Sequence, residues 1–233
     1  NKALVIMSNA KLMTRSESRA GTLPWFALGR QRYPELFTEP KIIMRQTSDS
    51  IKAVFDDQGY FVLNSILVFK KKNDVNLSYK FILANLNSSV NAFLYNKFSQ
   101  EGGRTFAEVK PKNVRKLYIP KANNTSLQSI DVIIDYLEFV GENDNISSDL
   151  FSFFEMVLDA VSFELFLPNE FKSAQKDILK HLTDLKTINE GMSDEEKLGI
   201  IQSEYERLYH PDHPVRYAIE TLDSIEEVRI IRE

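Results

Sequence analysis

Between Lys41 and Thr47, and again between Ser50 and Phe55, β-branched residues alternate with polar ones, which predicts two short strands. Asp56-Asp57-Gln58-Gly59 reads as a turn, with Gly59 free to take positive φ. Tyr60–Lys70 reads as a further strand, so a hairpin is predicted around that turn. From Leu77 to Phe98 the spacing becomes helical, carried by Phe81, Leu83–Leu86, Val90, Phe93 and Leu94. Asn87-Ser88-Ser89 breaks or caps this stretch. A Gly-containing loop, Glu101–Arg104, follows, and Phe106–Pro120 returns to extended structure.

Ala122–Ser126 is polar and reads as a linker. Beyond it, Ser129–Val140, Ser148–Leu167, Glu170–Ile188, Ser193–Tyr209 and Val215–Leu222 are predicted helices. Ser193 and Glu196 have capping-box spacing, and Pro211 and Pro214 punctuate the last two helices. Ile225–Ile231 reads as a short strand. The pattern predicts an α+β protein: a mixed α/β domain over residues 1–121, then a mainly helical domain over 122–233.

Composition narrows the class. The chain has 16 Phe and no Cys, so it has ample core material and no disulfide scaffold. No apolar run reaches the ~20 residues of a membrane span, and Lys11, Arg15 and Arg19 interrupt any leader-like stretch. A cytoplasmic setting is expected. The first residue is Asn, and the natural protein is expected to begin further upstream.

The net charge of −4 conceals a division. Through Lys121 there are 20 Lys and Arg against 9 Asp and Glu, a net of +11. From Ala122 onward there are 9 against 24, a net of −15. A basic region attracts phosphates, although two oppositely charged halves can also neutralise each other by docking.

Catalytic groupings are missing from the text: no Walker loop, no GxGxxG, no GxSxG. His210 and His213 flank Asp212, but no third ligand is placed by spacing, so no metal site is expected. Glu155, Asp159 and Glu164 lie on an apolar helix and read as its solvated edge. The basic clusters carry more information. Arg30 and Arg32 stand beside Trp25, Tyr33 and Phe37. Lys70-Lys71-Lys72 closes a strand, as a DNA contact or as a guard against edge pairing. Arg104 follows Gly102-Gly103, and Lys110, Lys112, Arg115 and Lys116 form a dense group. Lys and Arg hold phosphates, and Arg also reads guanine through two hydrogen bonds.

The order of short motifs resembles the TaqI-like specificity domain of adenine-specific DNA methyltransferases and fused restriction–modification enzymes. The matching pieces are Trp25 with Arg30 and Arg32, Lys41-Ile42-Ile43, Asp56–Tyr60, Leu86-Asn87-Ser88, Gly102-Gly103, Lys110-Pro111 and Leu117–Pro120. Val161–Phe166, Tyr205–Pro214 and Arg216–Val228 look like the extension that follows this domain in large members. The resemblance implies double-stranded DNA as partner, contacted by Trp25, Arg30, Arg32, Lys41, Lys70, Lys71, Lys72, Arg104, Lys110, Lys112, Arg115 and Lys116. It also implies an upstream methyltransferase domain of the same protein that binds S-adenosylmethionine, flips the adenine out of the duplex and serves phage defence, in some members beside an endonuclease. The Asn/Asp-Pro-Pro-Tyr/Phe quartet of that domain is absent here, so no catalytic residue and no cofactor is expected in this segment. The alternative is a protein-interaction module in which the acidic helical half docks a partner.

Overall fold

The computed structural model describes residues 35–48, 50–63, 65–99, 107–143 and 145–233. Strands β1 (Lys41–Arg45), β2 (Ala53–Asp56) and β3 (Ile66–Phe69) form an antiparallel sheet in the order β2-β1-β3. Side chains alternate as a pleated strand requires: Ile42 and Met44 of β1 are buried, while Arg45 is exposed. A short helix, α1 (Glu35–Thr38), precedes the sheet.

The sheet corrects one expectation. Tyr60–Lys70 contracts to β3 and pairs with β1 rather than with β2, so Ile43 faces Val54 on one side and Val68 on the other. The turn at Asp56 therefore starts a crossing loop, not a tight hairpin. The Asp56 carboxylate accepts the N–H groups of Gln58 (2.9 Å), Gly59 (3.0 Å) and Tyr60 (3.1 Å). Gly59, at φ 77°, turns the chain back against the backbone of Thr38.

The stretch divides at Ser88, within the predicted break, into α2 (Tyr79–Asn87) and α3 (Ser89–Phe98). Ser78 accepts the Phe81 N–H (2.9 Å) to start α2. Ser88, with extended backbone at ψ 150°, ends α2 and caps α3 by accepting the Asn91 N–H (3.3 Å). The Asn87 amide both donates to and accepts from the backbone of Ala53 (2.9 and 3.0 Å), tying α2 to the free edge of β2.

Phe106–Pro120 is predicted to be extended, but residues 107–120 are so only in part. The stretch holds a bridge from Glu108 to Thr47 and then a helical turn, α4 (Pro111–Val114), because Pro111 opens a helix where its missing N–H is harmless.

Helices α5 (Asn124–Gly141) and α6 (Ser148–Phe166) follow; α6 is as the periodicity predicts, but α5 starts inside the stretch read as a linker, because the Asn123 side chain caps it by accepting the Ser126 N–H. Phe154, Val157, Ala160 and Val161 have no exposed surface, which makes α6 the central post of the molecule. The predicted helix over 170–188 stops early. It yields α7 (Pro168–Ser173) and a 3-10 turn at Leu179–His181, because Gln175 takes a φ of 56° and Lys176 turns inward onto Thr221. Helix α8 (Asp194–Leu208) carries the predicted capping box, and α9 is Pro214–Glu220. The predicted strand at 225–231 is instead α10 (Glu226–Arg232): Ile225 and Val228 are buried at i, i+3 spacing, a helical period.

The core does not stop at Lys121. One buried cluster includes Ile42, Phe81 and Val109 from the first half and Ile133, Phe154 and Leu208 from the second. α2 packs on α5 and α6, and α10 returns to pack on α3. Ion pairs and hydrogen bonds stitch the same seam: Ser78 donates to Asp131 (2.6 Å), and Lys80 pairs with Asp135.

Candidate nucleic-acid interface

The residues singled out from the sequence fall into four groups. Trp25, Arg30, Arg32 and Arg104 lie outside the described residues. Lys41 is a correction: its side chain is fully buried, its ammonium pairs with Asp56 and donates to the Phe37 carbonyl, and it has no surface to offer a phosphate. Lys70 pairs with Glu39 and also donates to the Glu35 carbonyl (3.2 Å). Lys71 donates to the Leu77 carbonyl (2.8 Å) and lies 5.4 Å from the Tyr79 ring centre. Only Lys72 of that triplet is exposed.

Lys112, Arg115 and Lys116 are all exposed and are brought together on and just after α4, with half-buried Lys110 at its head. This turn is held from beneath by α3. Tyr95 is 1% exposed; its hydroxyl accepts the Lys110 N–H (2.9 Å) and donates to the Glu108 carbonyl (3.4 Å). The Val109 N–H donates to the Gln46 carbonyl (2.7 Å), which fixes the same segment to the end of β1. Asn113 and Val114 are buried, so the turn cannot rotate its cations inward. Lys116 lies 5.8 Å from the ring centre of Phe98, the last residue of α3.

Three cations missed in the sequence join this region. Arg45 and Lys52 are exposed and linked through the Arg45 N–H and the Lys52 carbonyl (3.1 Å), beside the Thr47–Glu108 bridge. Lys97 is exposed on α3, 4.8 Å from the Phe93 ring centre. Each stands singly in the sequence, and only the bridge and helix packing reveal that they neighbour the 110–116 turn.

Of the three acids of α6, Glu155 is exposed as the solvated-edge reading expects, whereas Asp159 and Glu164 are backbone clamps. Asp159 accepts the Ser89 N–H and hydroxyl (2.8 and 2.7 Å), satisfying the start of α3. Glu164 accepts the N–H groups of Ile178 and Leu179 (2.8 and 2.9 Å), and burial pushes its carboxyl above the usual range. Between β2, α2, α5 and α6 lies a cleft of about 750 Å³ bordered by Glu138, Glu142 and Glu155. Burial raises the carboxyl pKa of both Glu138 and Glu155. The two His of the last turn serve locally: His213 accepts the Val215 N–H (3.2 Å) and caps α9, and His210 accepts the Asp212 N–H (3.3 Å). Among the described residues, no three His, Cys, Asp or Glu converge on a point that would hold a metal. No helix among them is long and apolar enough to cross a membrane.

No curated protein matches the chain. The family model of the TaqI-like C-terminal specificity domain matches residues 9–119, a span that contains the sheet, α2, α3 and the whole cationic turn. Over residues 9–119 the chain is therefore similar to the TaqI-like C-terminal specificity domain, a likeness that implies a DNA-recognition role in a restriction–modification methyltransferase.

Proposed function

We propose that residues 1–121 read the target site for an adenine-specific DNA methyltransferase whose catalytic domain precedes this segment and binds S-adenosylmethionine. The observation that carries the reading is the rigid, solvent-facing triad Lys112, Arg115 and Lys116, lying inside the span matched by the specificity-domain family. Three cations fixed on one turn suit a phosphate backbone, and their charge attracts duplex DNA of any sequence before bases are read. Trp25, Arg30, Arg32 and Arg104 belong to the same proposal on sequence grounds, with Arg104 as base reader. The recognition part serves a cytoplasmic phage-defence system.

The test is fluorescence anisotropy of the full chain with random duplex DNA at several salt concentrations. Binding is expected to weaken steeply with salt. Lys112→Ala is expected to flatten the log–log slope by about 0.9, the contribution of one phosphate contact. Salt-independent binding, or an unchanged slope in Lys112→Ala and Lys116→Ala alike, counts against the reading.

A second reading has its own observation. The carboxylate-bordered cleft beside β2 suits a basic protein partner, so the acidic helical half could be the docking part. That reading requires a Glu138→Gln/Glu155→Gln variant to lose its partner while DNA binding is untouched.

A further inference from the structure

Past the last cation of the turn the chain runs through half-buried Leu117 to Tyr118, which is 69% exposed. A single exposed ring is ordinary on a protein surface. This one differs in how its backbone is held. Asn91 of α3 has no exposed surface, and its side-chain amide donates to the Tyr118 carbonyl (3.2 Å) and to the Asn85 carbonyl (2.8 Å). The turn before it is closed by the Lys116 and Leu117 N–H groups on Asn113 and Val114 (3.0 and 3.1 Å). With Tyr95 fixing the opposite end at Lys110, two wholly buried side chains one helical turn apart on α3 hold the backbone at both ends of the cationic segment.

The fold thus holds still the backbone beneath an aromatic face that it leaves in water. A Tyr side chain has only two torsions to freeze, so a ring on a fixed backbone loses little entropy when it meets a ligand. The exposed cations Arg115 and Lys116 stand immediately before it in the chain. Flat apolar faces beside regularly spaced anions are what a nucleic acid presents, since sugars and bases lie inside the phosphates. We propose that Tyr118 is a DNA contact of this surface, laying its ring against a sugar or base while the neighbouring cations hold the phosphates. The proposal rests on the DNA-recognition reading and adds to it a contact that is not ionic.

The experiment uses the full chain and a labelled duplex, with wild type, Lys112→Ala, Tyr118→Ala and Tyr118→Phe compared across salt concentrations. Tyr118→Ala is expected to bind roughly tenfold more weakly, the loss of one aromatic stacking contact. Its salt slope is expected to match wild type, because a ring releases no counterions. Tyr118→Phe is expected to stay within about twofold of wild type. Because the side chain is exposed, circular dichroism and Tm should be the same in all three Tyr118 forms, separating contact from folding. Wild-type affinity in Tyr118→Ala, with Lys112→Ala weakened, overturns the contact and leaves the DNA reading standing. Equal losses in the Ala and Phe variants overturn the ring-face role in favour of a hydroxyl contact. Absence of salt-dependent binding by wild type removes the DNA reading and this contact together.

Discussion

Lys41 shows how much one side chain's surroundings decide. Its ammonium and the Asp56 carboxylate lie on paired positions of β1 and β2, both out of water, and Asp56 also gathers the loop at Gln58–Tyr60. Removing one member of such a pair strands the other charge in a poorly solvating place, which costs about 3–5 kcal/mol. Lys41→Ala is therefore expected to lower stability by that amount in urea unfolding, whereas Lys112→Ala, at an exposed position, should stay within about 0.5 kcal/mol of wild type. Equal stability of the two variants would refute the structural role assigned to Lys41. In the sequence these lysines look alike: each is a cation directly after a proline. What separates them is cross-strand register and the return of the chain past Thr38, neither of which is written locally. By contrast, the turn at Asp56–Gly59 was legible because short-range chemistry fixes it: a carboxylate facing its own backbone N–H groups, and a glycine where φ is positive.

At the level of elements, caps were readable and partners were not. The Ser88 break and the Ser193–Glu196 box both appear in the structure, since a cap is a contact between residues three apart. The 225–231 segment reads as a strand because its seven apolar and charged residues carry too little periodicity to separate strand from helix; its packing on α3 decides the matter. The helix over 170–188 was overextended because nothing local announces that Gln175 adopts a left-handed conformation. Helix α9 offers a test with a pH signature. His213 caps it through Nδ1, and burial, then the nearby Arg207 and His181, lower the His213 pKa. A histidine whose folded pKa is depressed favours the native state only while neutral. Its contribution is complete above the unfolded value of about 6.5 and is lost as pH falls below it. His213→Asn keeps a capping acceptor, an amide oxygen in place of Nδ1, and should remove that His213-dependent loss, as judged by the difference in Tm from wild type between pH 7.5 and 5.5 (values chosen to bracket the usual histidine range). His213→Ala is expected to cost about 1 kcal/mol at the higher pH. A wild-type difference that persists unchanged in His213→Asn would show that the cap is not the titrating element.

For the whole molecule, the charge division is plain in the sequence, but the shared core is not. Counting charges separates a basic first half from an acidic second half, whereas the buried side chains of α2, α5 and α6 belong to one packed body. The acidic helices are pinned to the basic part through Asp131, Asp135 and Asp159, so part of their negative charge is spent on internal contacts. A chain ending at Lys121 would leave the partner faces of α2 and α3 in water. It is expected to bind an apolar dye and to lose cooperative unfolding, while the full chain melts in a single transition. A cooperative, dye-free fragment would show that the first half folds alone.

The seam also bears on how such a protein could acquire a new target sequence. If the reading part could be lifted out at a linker, recombination between relatives would trade specificities as interchangeable cassettes. Here the Ser89–Asp159 clamp and the packing of α10 on α3 tie α3, which carries the cationic turn, to helices far along the chain. A graft that stops at Lys121 must rebuild that contact with a foreign surface. Exchange of target preference is thus expected more readily from substitutions in place than from swapping whole segments.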